Sequence, residues 1–139
     1  MLKTLTGPVM QDRVLSIMRI AVALLYLQAG TAKLLTFPHV ANFDTLQAFQ
    51  LVWFAGVIEL VGGSLLVLGL FTRPVAFICS GEMAFAYFIS HAPRSLYPLL
   101  NGGVAAAMYS FVFLYLATAG GGAWSLDRWL ESRRTAEPQ

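Results

Sequence analysis

Charge is what this sequence has little of. Asp, Glu, Lys and Arg make up 12% of the chain and hydrophobic residues 58%, against roughly 25% charged residues in a typical soluble domain. Nine basic and seven acidic side chains in 139 residues cannot cover a soluble globule of this size, so lipid must face most of the chain. The apolar composition also excludes a disordered tail, and a net charge of +2 gives no basic field for nucleic acid. Cysteine is nearly absent. Cys79 stands alone, which excludes an internal disulfide. With His39 and His91 as its only histidine companions, no dedicated zinc or haem site is expected. There is no internal repeat and no low-complexity segment.

What the chain has instead is long apolar runs. Residues 14–35, 51–71, 74–91 and 98–119 are each long enough, at about 1.5 Å per residue, for a hydrocarbon core of roughly 30 Å. The third is the shortest. Helix is the open-ended way to satisfy backbone groups in lipid. The expected fold is therefore all-α: a single transmembrane domain over 1–139, an integral membrane four-helix bundle with short interfacial helices. Pro74 and Pro98 stand in the first turns of the third and fourth helices, and Gly120-Gly121-Gly122 ends the last. Lys3, Arg13, Arg19, Arg73, Arg128, Arg133 and Arg134 lie toward one side, and Lys33 and Arg94 toward the other. That bias puts both termini in the cytoplasm, with the chain a multi-pass protein of the cell inner membrane. A cleaved signal peptide is the rival reading of the first run, but Arg19 would abut its apolar region and three helices would remain.

The connections are short except for residues 36–50. There Val40, Phe43, Leu46 and Phe49 recur at spacings of three, a stripe that either lies flat on the membrane surface or folds over the bundle as a lid. After the glycines, residues 124–130 read as a short interfacial helix capped by Ser125, with Trp124 and Trp129 at headgroup depth. Residues 131–139 form a polar tail.

Ionisable residues inside apolar runs point to a site. Arg19 lies about 7–8 Å in from the cytoplasmic side, and Glu82 and Glu59 each lie about 12 Å in, from opposite sides. All three fall near mid-bilayer, and Arg19 is expected within reach of either carboxylate. At about 100° per residue, Arg19, Ala23, Tyr26, Gly30 and Lys33 share one face of the first helix. Gly56, Glu59 and Gly63 share a face of the second, Cys79, Glu82, Ala86 and Ile89 of the third, and Asn101, Ala105, Met108, Val112 and Tyr115 of the fourth. One arginine does not balance two carboxylates, so the unpaired acid is expected to hold a proton. Such a carboxyl suits either a proton-coupled redox or transport site or a structural ion pair with a spare acid. Lys33 reads as snorkelling to the outer surface, His91 as an interfacial side chain and Cys79 as a packed thiol.

Several strings in order are similar to one family. They are Arg19, Gly30-Thr31-Ala32-Lys33-Leu34, residues 54–63 (FAGVIELVGG) with residues 68–73 (LGLFTR), Asn101-Gly102-Gly103, and residues 120–127 (GGGAWSLD). Together, over about residues 14–130, they resemble the DoxX family of small four-helix membrane proteins, mostly bacterial. The resemblance implies redox work linked to a quinone, as part or partner of a membrane oxidoreductase complex. The chain departs from the family pattern at Val104, where a Glu usually follows the Asn-Gly-Gly; Glu59 and Glu82 are left as its carboxylates.

These readings meet in a pocket between the four helices, opening to the outer side under residues 36–50. Arg19, Glu59 and Glu82 are expected at its base as the reactive cluster. Tyr26, Lys33, Trp53, His91 and Asn101 are the expected ligand-binding residues, with Trp53, His91 and Asn101 in the upper wall. A quinone, apolar with two hydrogen-bonding ends, suits such walls. No covalently bound cofactor and no metal is expected. The sequence holds no flavin, haem or metal motif, so electrons would come from a soluble or membrane redox partner. The alternatives are a non-catalytic binding or assembly subunit and a small-solute or proton carrier, the latter as a homo-oligomer.

Overall fold

The computed structural model describes residues 7–136; Lys3 and residues 137–139 of the polar tail lie outside the described residues. Among the described residues every regular element is helical. Helix α1 (Pro8–Leu35) has Pro8 in its first turn and ends where Thr36 turns left-handed, at φ 54°. Helix α2 (Leu51–Leu68) ends at Gly69, whose φ of 69° suits glycine. These two helices are long and apolar enough to cross a membrane. Helix α3 (Thr72–Ala86) runs on into a π-helical turn, Tyr87–His91.

The fourth apolar run is not one helix. It breaks into α4 (Pro98–Asn101) and α5 (Val104–Ala119), with Gly102 at φ 72° between them. Asn101 holds the break by accepting the Gly103 N–H through its side-chain oxygen at 2.7 Å. The break resets the helical phase. The buried face of α5 is Ala106, Phe113 and Leu116, whereas Met108 and Tyr115, expected inside, are exposed. Residues 36–50 also differ from the expected stripe. They contain one 3-10 turn, Ala41–Phe43, and no longer helix. Pro38, Asn42, Asp44 and Thr45 all disfavour helix there, so a spacing of three was not enough.

Packing begins with α1 on α2. Gly30 lets the chains approach so closely that a Cβ there would lie 2.5 Å from the Leu60 backbone nitrogen. Helix α3 is joined to α5 by reciprocal hydrogen bonds, Ser80 Oγ to the Ser110 carbonyl at 2.7 Å and Ser110 Oγ to the Ser80 carbonyl at 3.1 Å. All four long helices feed one core, with Ala23 and Tyr26, Leu66, Ala76 and Cys79, and Phe113 and Leu116 in contact. The expected packed thiol is there: Cys79 is fully buried, in the space left by Gly62.

The short helix α6 (Leu126–Ala136) closes the end at which α1 begins. Ser125 caps it, accepting the Arg128 N–H at 3.3 Å. Asp127 then caps a second helix, accepting the Phe71 and Thr72 N–H groups at 2.7 and 2.8 Å where α3 begins. An ion pair between Arg128 and Asp12 ties α6 to α1.

Candidate functional site

Only residues 69–71 separate α2 from α3, which pins these helices together at the terminal end. Between their far halves lies a cleft of about 720 Å³. Its walls are Val52, Phe54, Ala55 and Ile58 of α2 and Ile78, Phe85, Ala86 and Ile89 along α3 and its π turn. Helices α1 and α5 supply the floor through Tyr26, Ala29, Lys33, Ala106 and Tyr109. Apolar surface dominates, and the polar groups are gathered at two places on the floor.

The first is an ion pair. Lys33 Nζ lies 2.6 Å from both carboxylate oxygens of Glu59, and their side chains are 12% and 2% exposed. Lys33 therefore does not snorkel away from the protein. Its charge is directed inward because the antiparallel register that seats Gly30 on Leu60 also sets Lys33 opposite Gly56 and beside Glu59. The Phe43 ring covers the ammonium on its outer side, 5.6 Å from Nζ, which gives the 3-10 turn a partial covering role. The second is Tyr26, whose hydroxyl donates to Glu82 Oε2 at 3.0 Å. Tyr26 is itself fixed by edge contacts with Phe113 and Tyr109, ring centres 4.8 and 5.8 Å away.

Five of the expected site residues thus line one cleft: Glu59, Glu82, Tyr26, Lys33 and His91. Arg19 does not join them. It is fully buried two helical turns from Tyr26, about 10 Å along α1 toward the termini. Its Nε donates to the Gly121 carbonyl at 2.8 Å, Nη1 to Leu66 and Val67 at 2.5 and 2.6 Å, and Nη2 to Trp124 at 2.7 Å. The carbonyls left over at the end of α2 and in the glycine turn take the guanidinium that depth alone had assigned to a carboxylate. Ser16, below it, accepts the Trp124 N–H at 3.0 Å. Arg19 is a structural clamp.

Trp53 and Asn101 are also outside the cleft. Trp53 packs between Phe49 and Phe54, ring centres 5.2 Å away on each side. Asn101 braces the turn before α5, donating to the Ser95 carbonyl at 2.7 Å and the Tyr87 hydroxyl at 3.2 Å. His91 keeps one edge on the cleft while its Nδ1 lies 3.0 Å from the Asn101 carbonyl. The partnership of Lys33 with Glu59 was missed from sequence. Its available signal was the shared face of Lys33, Gly30 and Tyr26, which points inward as a unit.

Among the described residues no cluster of three or more His, Cys, Asp or Glu side chains could hold a metal ion. Within apolar walls the floor thus presents the Lys33 ammonium as a donor and the Tyr26 oxygen, its hydrogen given to Glu82, as an acceptor.

No solved structure matches this chain. A protein of Haemophilus influenzae, described as uncharacterized, is 45% identical over 117 residues, covering 81% of this chain and 87% of its own length. The DoxX family model matches residues 14–92. That span holds α2, α3 and most of α1, including both polar pairs of the cleft, and on it the chain belongs to the DoxX family.

Proposed function

We propose that the chain is a four-helix protein of the cell inner membrane, both termini cytoplasmic, whose cleft binds a quinone on behalf of a membrane oxidoreductase complex. Two polar pairs at the base of an otherwise apolar cleft carry this reading. Membrane insertion accounts for the large apolar side chains exposed on all four long helices, among them Ile17, Leu24, Val61, Phe77, Phe85 and Phe111. Helix α3 and its π turn run together for about 30 Å, and α5 adds a further 24 Å or so beyond the α4 turn. The excess of Lys and Arg at the terminal end supports the orientation.

The residues present fit a quinone. The Lys33 ammonium, with one hydrogen beyond its two Glu59 contacts, is a donor suited to a carbonyl oxygen, and the Tyr26 oxygen, its hydrogen given to Glu82, is an acceptor suited to the hydroxyl of the reduced ring. Glu59 holds Lys33 in place and Glu82 holds Tyr26. Ile58, Phe54, Phe85 and Ile89 offer apolar surface to the ring and its tail. When bound, a quinone supplies two-electron redox chemistry, and the electrons reach it from a partner that carries a redox centre. The contribution of this chain is to bind and orient the ring, exclude water and keep proton-bearing groups beside it.

Equilibrium titration of the purified protein in nanodiscs with a short-tailed ubiquinone tests the reading. Saturable binding is expected, weakened about tenfold or more in Glu59→Gln, which leaves Lys33 without its counter-charge. Absence of saturable binding by the intact protein overturns the quinone reading and leaves an assembly role.

A further inference from the structure

Gly81 has no packing reason to be glycine. It lies inside α3, its backbone is ordinary helix, and a Cβ built there meets nothing within 4 Å. The other glycines inside the long helices differ. Gly30, Gly56, Gly62 and Gly63 each have a neighbour within about 3 Å of the same point. Glycine at a helix interior position costs about 1 kcal/mol relative to alanine, so an unexplained one marks a place where open space is useful.

The space is on the cleft. Gly81 is exposed and lines it directly beside Glu82. Ile78 and Phe85, three residues before and four after, share its face and stand 57% and 56% exposed. Two large apolar side chains therefore flank a gap at the depth of the polar floor. Across the cleft Phe54 of α2 is 48% exposed. From the loop end, by contrast, Phe43 lies over Lys33. The opening faces sideways, between α2 and α3.

We propose that the gap at Gly81 is a lateral gate, through which an apolar ring compound dissolved in the bilayer reaches the Tyr26–Glu82 and Lys33–Glu59 pairs. The gate rests on the membrane and ligand-cleft reading above but not on the ligand being a quinone. A Cβ at position 81 meets no neighbour within 4 Å, so larger residues there should narrow the path and exclude the ligand while leaving the fold intact.

The test uses a lipophilic aryl diazirine, itself an apolar ring compound, photoactivated in nanodiscs holding the full chain, with insertion sites mapped by mass spectrometry. In the unaltered protein the probe should insert at floor residues Tyr26, Glu82 and Tyr109 as well as at outward residues such as Phe77 and Phe111. Gly81→Leu should cut insertion at the floor about tenfold or more while leaving outward insertion unchanged and the unfolding temperature no lower; Gly81→Ala should give a partial loss. No floor insertion in the unaltered protein, as when a second copy covers this face, overturns the gate. So does floor insertion that Gly81→Leu does not reduce. A short-tailed ubiquinone added as competitor separates the two readings: floor insertion that depends on Gly81 but ignores the quinone keeps the gate and removes the quinone.

Discussion

Lys33 and Glu59, 26 residues apart, form a two-pronged ion pair at 2.6 Å across the α1–α2 contact, about one turn beyond the point where Gly30 meets Leu60. The pair does two things at once. It ties the first two helices at the loop end, and it sets a cation on the floor of an apolar cleft.

Breaking that pair from one side leaves a buried charge alone. Lys33→Met is expected to destabilise by about 3–5 kcal/mol, and Lys33→Met with Glu59→Leu by clearly less, because an unpartnered buried charge is the costly state. Unfolding in detergent measures both. A double variant as unstable as the sum of the single ones would contradict the coupling.

Arg19 should behave as a backbone clamp. Arg19→Lys keeps the charge but loses the planar fork that serves four carbonyls, with an expected loss of about 2 kcal/mol or more. Combining it with Glu82→Gln should be additive, since the two groups do not touch. Coupling beyond about 0.5 kcal/mol would place Arg19 in the cleft after all.

Gly30→Val should separate α1 from α2, because the added atoms meet Leu60 backbone and cannot be accommodated by rotating a side chain. About 1–3 kcal/mol of destabilisation is expected, read as a lowered unfolding temperature. Gly81→Ala, the contrasting change, should be neutral or mildly stabilising.

Asp127 caps α3 from another helix, so Asp127→Ala should cost about 1 kcal/mol. Hydrogen exchange should speed up at Phe71 and Thr72, which lose their acceptor. Unchanged exchange there would show that water replaces the cap.

Orientation can be read with a thiol. Asp44→Cys, in the exposed segment between α1 and α2, should react with an impermeant reagent added outside intact cells; fully buried Cys79 gives the background. Reaction only after the cytoplasmic side is opened would reverse the topology.

The sequence was most legible where helical phase ran unbroken. On α1 the face of Arg19, Ala23, Tyr26 and Gly30 is buried as its spacing predicted, and Gly56 and Glu59 on α2 likewise. Phase failed on α5 because the turn at Gly102 restarts the helix, so counting from Asn101 gave the wrong side. Arg19 was misassigned for a different reason. Depth put it near two carboxylates, but its acceptors are main-chain carbonyls freed at the end of α2 and in the glycine turn, and side-chain identities do not advertise those. Lys33 sits near a helix end, where a lysine normally reaches for water. Only the register of α1 on α2 shows that Glu59 is nearer.

Photolabelling with an azido-quinone, followed by peptide mapping, shows directly whether the cleft holds the ring. Label is expected on cleft residues of α1, α2 and α3, around Tyr26, Ile58 and Glu82, displaced by unlabelled quinone and reduced in Glu59→Gln. Label confined to the outward faces of the helices, or undiminished by competitor, would contradict it.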